Sequence, residues 1–396
     1  MRIGFATTEY VTEKYFSGGL ANYLHRVAKA LVSLGHEVHI VVLSEIDQGE
    51  YEYEGIHIHR LTSGKIQQRL NKVTRYRIPQ TAECLAFSFQ VYRKLLELHK
   101  QQPFDIVQFP DWNACGVVSG LLLPIPQVTR ISSYRPVWLE MSGMARNRDE
   151  RIIEYLTWLQ MHHIKHIYAP SYTLKKILAE KAKINHVGVI RTPFYLETLN
   201  WDSSIFNEYL QGKKYLLFFG RFQLHKGVHI LAQALPQVFK KHPDCYVVFV
   251  GKDVSPSMKE YALSLCSQYT ERLIFIQPIP HNQLYPVIAG AKLVVLPSLI
   301  DNLPNACLEA MGLGKPIIGT VGASFEELLI EGETGFLVPV GEVNALATKI
   351  NEVWMHPSLN EIGQAAKVSV QEFAIEKTVK QLLVYYEEII KNKKSA

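Results

Sequence analysis

Apolar and polar positions alternate in blocks along this 396-residue chain, and the blocks change period in a regular order. Residues 2–8 form a short apolar-rich run, which predicts a buried strand. After a loop to Gly19, Leu20, Leu24, Val27, Leu31 and Leu34 recur at helical spacing, so a helix is expected over residues 20–34. Gly35 ends it, and EVHIVVL (Glu37–Leu43) is the next buried strand. Strand, loop, helix and strand make a βαβ unit, which implies a parallel, doubly wound sheet.

The alternation continues. Residues 51–61 (YEYEGIHIHRL) have period two around Gly55, which predicts a short antiparallel excursion with His57 and His59 on one face. A bound metal there is not expected. Residues 84–100 read as a helix and 105–109 (DIVQF) as a strand that stops at Pro110-Asp111-Trp112. Residues 116–123, 127–132 and 167–171 carry the pattern on. It lapses between 193 and 214 and then restarts. Residues 215–219, 246–250, 273–276, 293–296 and 317–320 read as strands of a second parallel sheet, with helices from Val228 and over 259–269. A final amphipathic segment, 381–390, presents Leu382, Leu383, Tyr386, Ile389 and Ile390 to some partner surface.

Length suggests two or three domains, and the composition is that of an ordinary soluble globular protein. The net charge of +5 makes no case for nucleic acid, but it is unevenly placed. Residues 1–200 hold 24 basic and 18 acidic side chains, leaving 42−24=18 basic and 37−18=19 acidic for the rest. Lys65, Arg69, Lys72, Arg75 and Arg77 lie together without an acid. That stretch reads as a solvated basic face, or as a surface for an anionic acceptor or a lipid headgroup. Cys84, Cys115, Cys245, Cys266 and Cys307 have neither CxxC nor metal-ligand spacing, and fit reduced core thiols of a cytosolic protein. There is no signal-peptide pattern at the start, and no apolar run approaches the ~20 residues that span a bilayer.

Candidate chemistry concentrates in residues 297–316, PSLIDNLPNACLEAMGLGKP. A buried strand stops at Pro297. A polar loop follows, with Asp301 and Asn302 as candidate caps and Pro304 suited to the first helical position. A helix is expected over 305–313, closed by Gly314. Free backbone N–H groups, the positive dipole end and the carboxylates of Asp301 and Glu309 suit an anion or a polyhydroxylated molecule. A second strand runs into Gly220-Arg221 and on to Lys226-Gly227 at the same sheet edge. The guanidinium fork of Arg221 and the ammonium of Lys226 suit a diphosphate. An ordinary capped helix start with nearby surface cations is the plainer reading of either stretch alone. Ser17-Gly18-Gly19 before the first helix is a further, weaker phosphate candidate.

These residues resemble a known family. GRFQLHKG is similar to the G-R-x-x-x-x-K-G loop of the GT4-family retaining glycosyltransferases, and 297–319 to that family's E-x7-E segment. Residues 322–337, the Gly18-Gly19 loop and the run Ala169-Pro170-Ser171 fit as well. The resemblance implies a GT-B fold, with two Rossmann-like doubly wound domains facing each other across a cleft. An acceptor-side domain is expected over 1–195 and a nucleotide-sugar-binding domain over 210–377, with a C-terminal helix at about 378–396 packing back onto the first. It also implies roles. Arg221 and Lys226 neutralise the diphosphate, and Glu309 holds the ribose hydroxyls. Asp301, with backbone N–H groups of Asn302, Leu303 and Asn305, holds the donor sugar. Ile279 lies where the nucleobase is held, and Gly18 and Gly19 touch the phosphate from the opposite domain. The expected donor is a UDP- or GDP-sugar, with no cofactor. No Asp-x-Asp occurs, so no obligatory metal is expected. The acceptor would be a glycan, lipid or small molecule, and the location cytoplasmic, with peripheral contact at the inner membrane face left open.

The sequence departs from the family pattern twice. Asp301 replaces a Glu. Ser132 or Ser133 stands where many members carry a His, which leaves Asp111 or the leaving phosphate as the acceptor-side base. A GT-B nucleotide-sugar epimerase and a catalytically inactive GT-B binding or partner protein are the alternatives. A NAD-dependent dehydrogenase is disfavoured because no GxGxxG follows the first strand.

Overall fold

The computed structural model describes residues 1–14, 19–197, 199–253 and 257–394. The chain divides into two compact units. Met1–Glu140, Met144–Pro193 and Ile375–Ala396 form the first, and Met141–Gly143 and Phe194–Ala374 form the second. Both are α/β units built on largely parallel sheets, the class expected from the alternating pattern.

The first unit runs β1 (Arg2–Thr7), α1 (Gly19–Ser33), β2 (Glu37–Leu43), β3 (Gly49–Tyr53), β4 (Ile56–Leu61), α2 (Gly64–Val73), α3 (Pro79–Gln101), β5 (Ile106–Pro110), α4 (Val117–Leu122), β6 (Gln127–Arg130), α5 (Arg135–Met141), α6 (Arg148–His163), β7 (His166–Ala169), α7 (Tyr172–Ile177) and β8 (Val187–Val189). Its eight strands lie in the order β3-β4-β2-β1-β5-β6-β7-β8. Only the β3–β4 hairpin is antiparallel, turning at Glu54 and Gly55, which both have positive φ. Every residue of β1 is buried, because helices cover both faces of the sheet. Ile3 and Phe5 point into one cluster with Leu24, Val27 and Leu31 of α1, while Ala6 and Val41 meet Phe87, Val91 and Leu95 of α3 on the other face.

The second unit runs α8 (Ser204–Tyr209), β9 (Lys214–Phe219), α9 (Val228–Lys241), β10 (Cys245–Val250), α10 (Met258–Leu265), β11 (Leu273–Ile276), α11 (His281–Gly290), β12 (Leu293–Val295), α12 (Asn305–Gly312), β13 (Ile317–Val321), β14 (Phe336–Pro339), α13 (Val343–Val353) and α14 (Leu359–Ser369). The sheet order is β11-β10-β9-β12-β13-β14, all parallel. Strand order therefore reverses between β9 and β12, and in the first unit between β1 and β5. Such reversals open the crevice at the carboxyl ends of the strands where open α/β sheets take ligands.

The chain returns to the first unit as α15 (Ile375–Lys394), longer than the amphipathic segment read from sequence. Val379, Leu382, Tyr386 and Ile389 join the α1 face of that core. The Tyr386 hydroxyl donates to Gln108 Oε1 at 2.6 Å, and the buried Tyr168 hydroxyl donates to the same oxygen at 2.7 Å. All five cysteines are free and buried.

Candidate functional site

The reversal point of the second unit gathers most of the predicted residues. β9 ends at Phe219. The loop beyond it makes one 3-10 turn, Leu224–Lys226, before Gly227 starts α9 with φ 70. A Cβ on Gly227 would lie 1.8 Å from the Pro297 carbonyl oxygen, so only glycine lets this loop lie against the β12 exit. The Leu299 N–H donates to the His225 carbonyl at 2.8 Å, which ties the two loops together.

Across that junction Lys226 Nζ lies 2.5 Å from Asp301 Oδ2. The other oxygen, Oδ1, accepts from the Asn302 N–H at 3.0 Å, and Ser324 Oγ donates to the Asp301 carbonyl at 2.9 Å. Ser324 holds φ 65, a left-handed conformation uncommon outside glycine, at the edge of this site. The charged pair is only partly accessible, with side chains 31% and 13% exposed. Arg221 is exposed on the same loop. His225, between them in sequence, is buried, and burial with help from the Lys226 charge pulls its imidazole down to about 4. It is therefore a neutral structural group at physiological pH.

α12 begins as expected at Asn305, but its N-terminus differs from the sequence reading. Neither Asp301 nor Asn302 caps it. The N-cap is Pro304, with extended backbone and no side-chain cap, because Asp301 is already committed to Lys226 and Asn302. Leu303 turns its side chain into the core. The Asn305 Oδ1 is buried without a hydrogen-bond partner among the described residues. Glu309 is nearly buried, and its Oε1 lies 3.5 Å from Nε2 of His281, the first residue of α11. Ile279 packs partly against the core just ahead of that helix. His281 was not singled out from sequence. Its signal was there, in the Pro280-His281 step opening a helix at the same sheet edge.

In the first unit the reversal point carries Asp111 after β5 and the start of α1. Gly18 lies outside the described residues, and Gly19 is the first residue of α1. The Ala21 N–H there already donates to Glu9 Oε1 at 3.3 Å, so a carboxylate of the chain occupies part of that helix end. Asp111 is buried. Its Oδ1 accepts from the Ser132 N–H at 2.6 Å, yet desolvation pushes the carboxyl up to about 7. The imidazoles of β2 and β4 form a larger group than the sequence suggested. His39 Nδ1 lies 3.0 Å from His59 Nε2, and His39 Nε2 lies 2.8 Å from Glu37 Oε1. Ligand atoms of Glu37, His39 and His57 lie within 4.8 Å of one another. The Arg2 guanidinium holds the same Glu37 oxygen at 2.9 Å, and both His39 nitrogens are engaged, so these side chains form a hydrogen-bonded chain in the sheet.

Two largely parallel-sheet α/β units, each with a reversal of strand order, make up the GT-B fold. The chain spans 99% of itself and of sucrose-phosphate synthase from Thermosynechococcus elongatus at TM-score 0.79 and 18% identity. It likewise matches the Anabaena protein HepE, solved with UDP-glucose, at TM-score 0.68 and 18% identity over the whole of both chains. The chain belongs to the group 1, family 4 glycosyltransferases: residues 17–197 match the family described as Glycosyltransferase Family 4, and residues 213–356 that described as Glycosyl transferases group 1. An uncharacterized glycosyltransferase of Methanocaldococcus jannaschii is 23% identical over 98% of both chains. Among the described residues, no helix is long and apolar enough to cross a membrane.

Proposed function

We propose that this glycosyltransferase moves a sugar, with retention of anomeric configuration, from a UDP- or GDP-sugar to a hydroxyl of a glycan, lipid or small molecule. The observation that carries the reading is the Lys226–Asp301 pair at the reversal point between β9 and β12. An ammonium and a carboxylate side by side sort a nucleotide-sugar by its parts. Lys226, with Arg221 on the same loop, takes the diphosphate oxygens. Asp301, with the backbone N–H groups of Asn302, Leu303 and Asn305, takes the sugar hydroxyls. Glu309 takes the ribose hydroxyls, and backbone around Ile279 takes the base. HepE with UDP-glucose bound, on the same fold, supports a donor of this class.

In the transfer, the bond from the anomeric carbon to the diphosphate oxygen breaks, and a bond from that carbon to the acceptor oxygen forms. The electron pair leaves with the diphosphate. The acceptor proton goes to a diphosphate oxygen or to a carboxylate beside the acceptor, for which Asp111 is the candidate. Fixed cations on the Arg221–Lys226 loop stabilise the growing charge, and no obligatory metal belongs to the reading.

The reading extends to peripheral contact with an anionic membrane. The cations of α2 and the turn after it are all exposed, no Asp or Glu stands between Glu54 and Glu83, and exposed Val73 and Tyr76 lie among them.

A thermal-shift comparison of UDP, GDP and ADP, with and without EDTA, tests the donor reading. Selective stabilisation by one nucleotide, unchanged by EDTA, is expected. At a hundredfold excess over Kd it amounts to about 2.7 kcal/mol. A flat response to all three refutes it.

A further inference from the structure

The largest question left by a glycosyl-transfer reading is the acceptor, and the first unit contains a pocket lined by none of the donor residues. It is a cavity of about 290 Å³ at the carboxyl edge of the eight-stranded sheet, between α5 and α6, with Asp111 and Ser133 in its lining. That volume is at the small end for ligand sites, enough for one ring and a substituent. A wider recess adjoins it, sharing Tyr134, Pro136 and Arg146 and adding Lys181. α6 is anchored at this wall by two contacts. Asn147 caps it by accepting from the Glu150 N–H, and Glu150 in turn takes the Arg135 guanidinium at 2.6 Å.

Two features of the wall point to the occupant. On α6, Tyr155 and Trp158 stack with centroids 5.9 Å apart and planes 17° apart, yet stay 59% and 38% exposed. The His162 imidazole lies over Trp158 with centroids 3.7 Å apart, so the aromatic surface left open at the pocket is chiefly that of Tyr155 and the uncovered part of Trp158. Such surface suits a ring with one apolar C–H face and polar groups at its rim, which describes a pyranose. Beside them Arg151 is exposed and, among the described residues, carries no ion pair. Arg135 and Arg146 at the same pocket are each matched to a carboxylate, Glu150 and Glu154. The uncommitted cation at the wall is thus Arg151, a planar fork suited to a carboxylate or phosphate.

We infer that the α5–α6 pocket binds the acceptor, and that the acceptor is a sugar ring bearing an anionic group, the ring lying on Tyr155 and Trp158 and the anion on Arg151. This rests on the glycosyl-transfer reading above and names the substrate class on its acceptor side. The anion can be a uronic carboxylate or a sugar phosphate, since one guanidinium serves both.

The test uses the full chain and three probes, methyl α-glucopyranoside, glucuronate and glucose 6-phosphate, with binding followed by ligand-observed NMR titration. At least one anionic probe is expected to bind about tenfold more tightly than the neutral glucoside, the worth of one charge-assisted hydrogen bond. Arg151→Ala is expected to abolish that preference and Trp158→Ala to weaken all three probes, with unchanged circular dichroism in both variants. Whichever anionic probe binds distinguishes carboxylate from phosphate. Equal binding of neutral and anionic probes, no saturable binding of any, or a preference that survives Arg151→Ala overturns the inference. UDP and GDP titrations of the same samples keep it separable from the donor reading. Loss of nucleotide binding in the wild-type chain refutes the donor site alone, and probe binding refutes or supports the pocket alone.

Discussion

Replacing Lys226 by alanine separates two consequences of one ion pair. Lys226 and Asp301 meet at 2.5 Å with side chains 31% and 13% exposed, so water screens them less than a surface pair. Without the ammonium, Asp301 keeps the Asn302 N–H but loses its cation, which costs roughly 1–3 kcal/mol of stability. In a unit of this size each kcal/mol moves Tm by about 2–4 °C, so a drop of a few degrees is expected and the fold survives. If Lys226 also stabilises the departing diphosphate, turnover falls by ~10²–10³. Differential scanning calorimetry and a coupled assay for released nucleotide read the two effects on the same sample. Asp301→Ala and the double variant complete the cycle, and their coupling in stability isolates the pair. Turnover within a factor of about three of wild type, with the Tm drop present, would leave the pair structural and refute its role in leaving-group stabilisation.

Glu309→Gln keeps the shape of the side chain but weakens acceptance from ribose hydroxyls. Nucleotide Kd is expected to rise about tenfold, and an unchanged Kd by calorimetric titration removes Glu309 from the donor site. Asp111 gives a pH signature. Its folded carboxyl, near 7, lies above its ordinary value of 3.8, so the folded state holds the proton more tightly than the unfolded chain. That contribution, on the order of 4 kcal/mol, is complete below pH ~4 and is lost as pH rises to about 7. Asp111→Asn should therefore show a smaller fall in stability than wild type across that window, by urea unfolding at stepped pH, and parallel profiles would refute the shift. For the basic surface, sedimentation with vesicles containing phosphatidylglycerol should pull down the protein at low salt, and neutral phosphatidylcholine vesicles should not. Lys65→Gln, Arg69→Gln and Lys72→Gln together should cut the bound fraction at least tenfold, at ~1 kcal/mol per cation, and equal binding to both vesicle types rules the contact out.

Most strands of both sheets were legible because each is a compact apolar run between helical periods, and parallel strands buried on both faces leave that mark strongly. β8 and β14 were missed because Val187–Val189 and Phe336–Pro339 are only three and four residues long, β14 with its last residue exposed and a Gly-rich turn before it. The second half of the helix expected over 259–269 tightens into a 3-10 turn, Ser267–Arg272, where Tyr269 leaves helical dihedrals, which side-chain periodicity does not reveal. Arg221, Lys226, Asp301 and Glu309 stood out as candidates by residue type and position. Their pairing did not, because Lys226 and Asp301 are 75 residues apart and meet only through the reversal of strand order. Asp301 looked like a helix cap for the same reason: sequence shows the local N–H groups it could take but not the distant ammonium it does take. The α6 aromatic shelf was invisible because Tyr155 and Trp158 resemble core positions of an amphipathic helix until their exposure is known.

The route of the chain has a consequence for its synthesis. The second unit is nearly continuous in sequence, but the first lacks α15 until the ribosome has passed residue 375. Between leaving the first unit at Pro193 and returning at Ile375 the ribosome adds 375−193=182 residues, ~10–35 s at ordinary elongation rates. Throughout that interval the α1 face of the first core stands open where Val379, Leu382, Tyr386 and Ile389 will close it, and Gln108 waits for the Tyr386 hydroxyl. The later-made half of the protein is thus free to finish first, and the nascent chain carries an apolar strip that invites chaperone capture until α15 emerges from the exit tunnel.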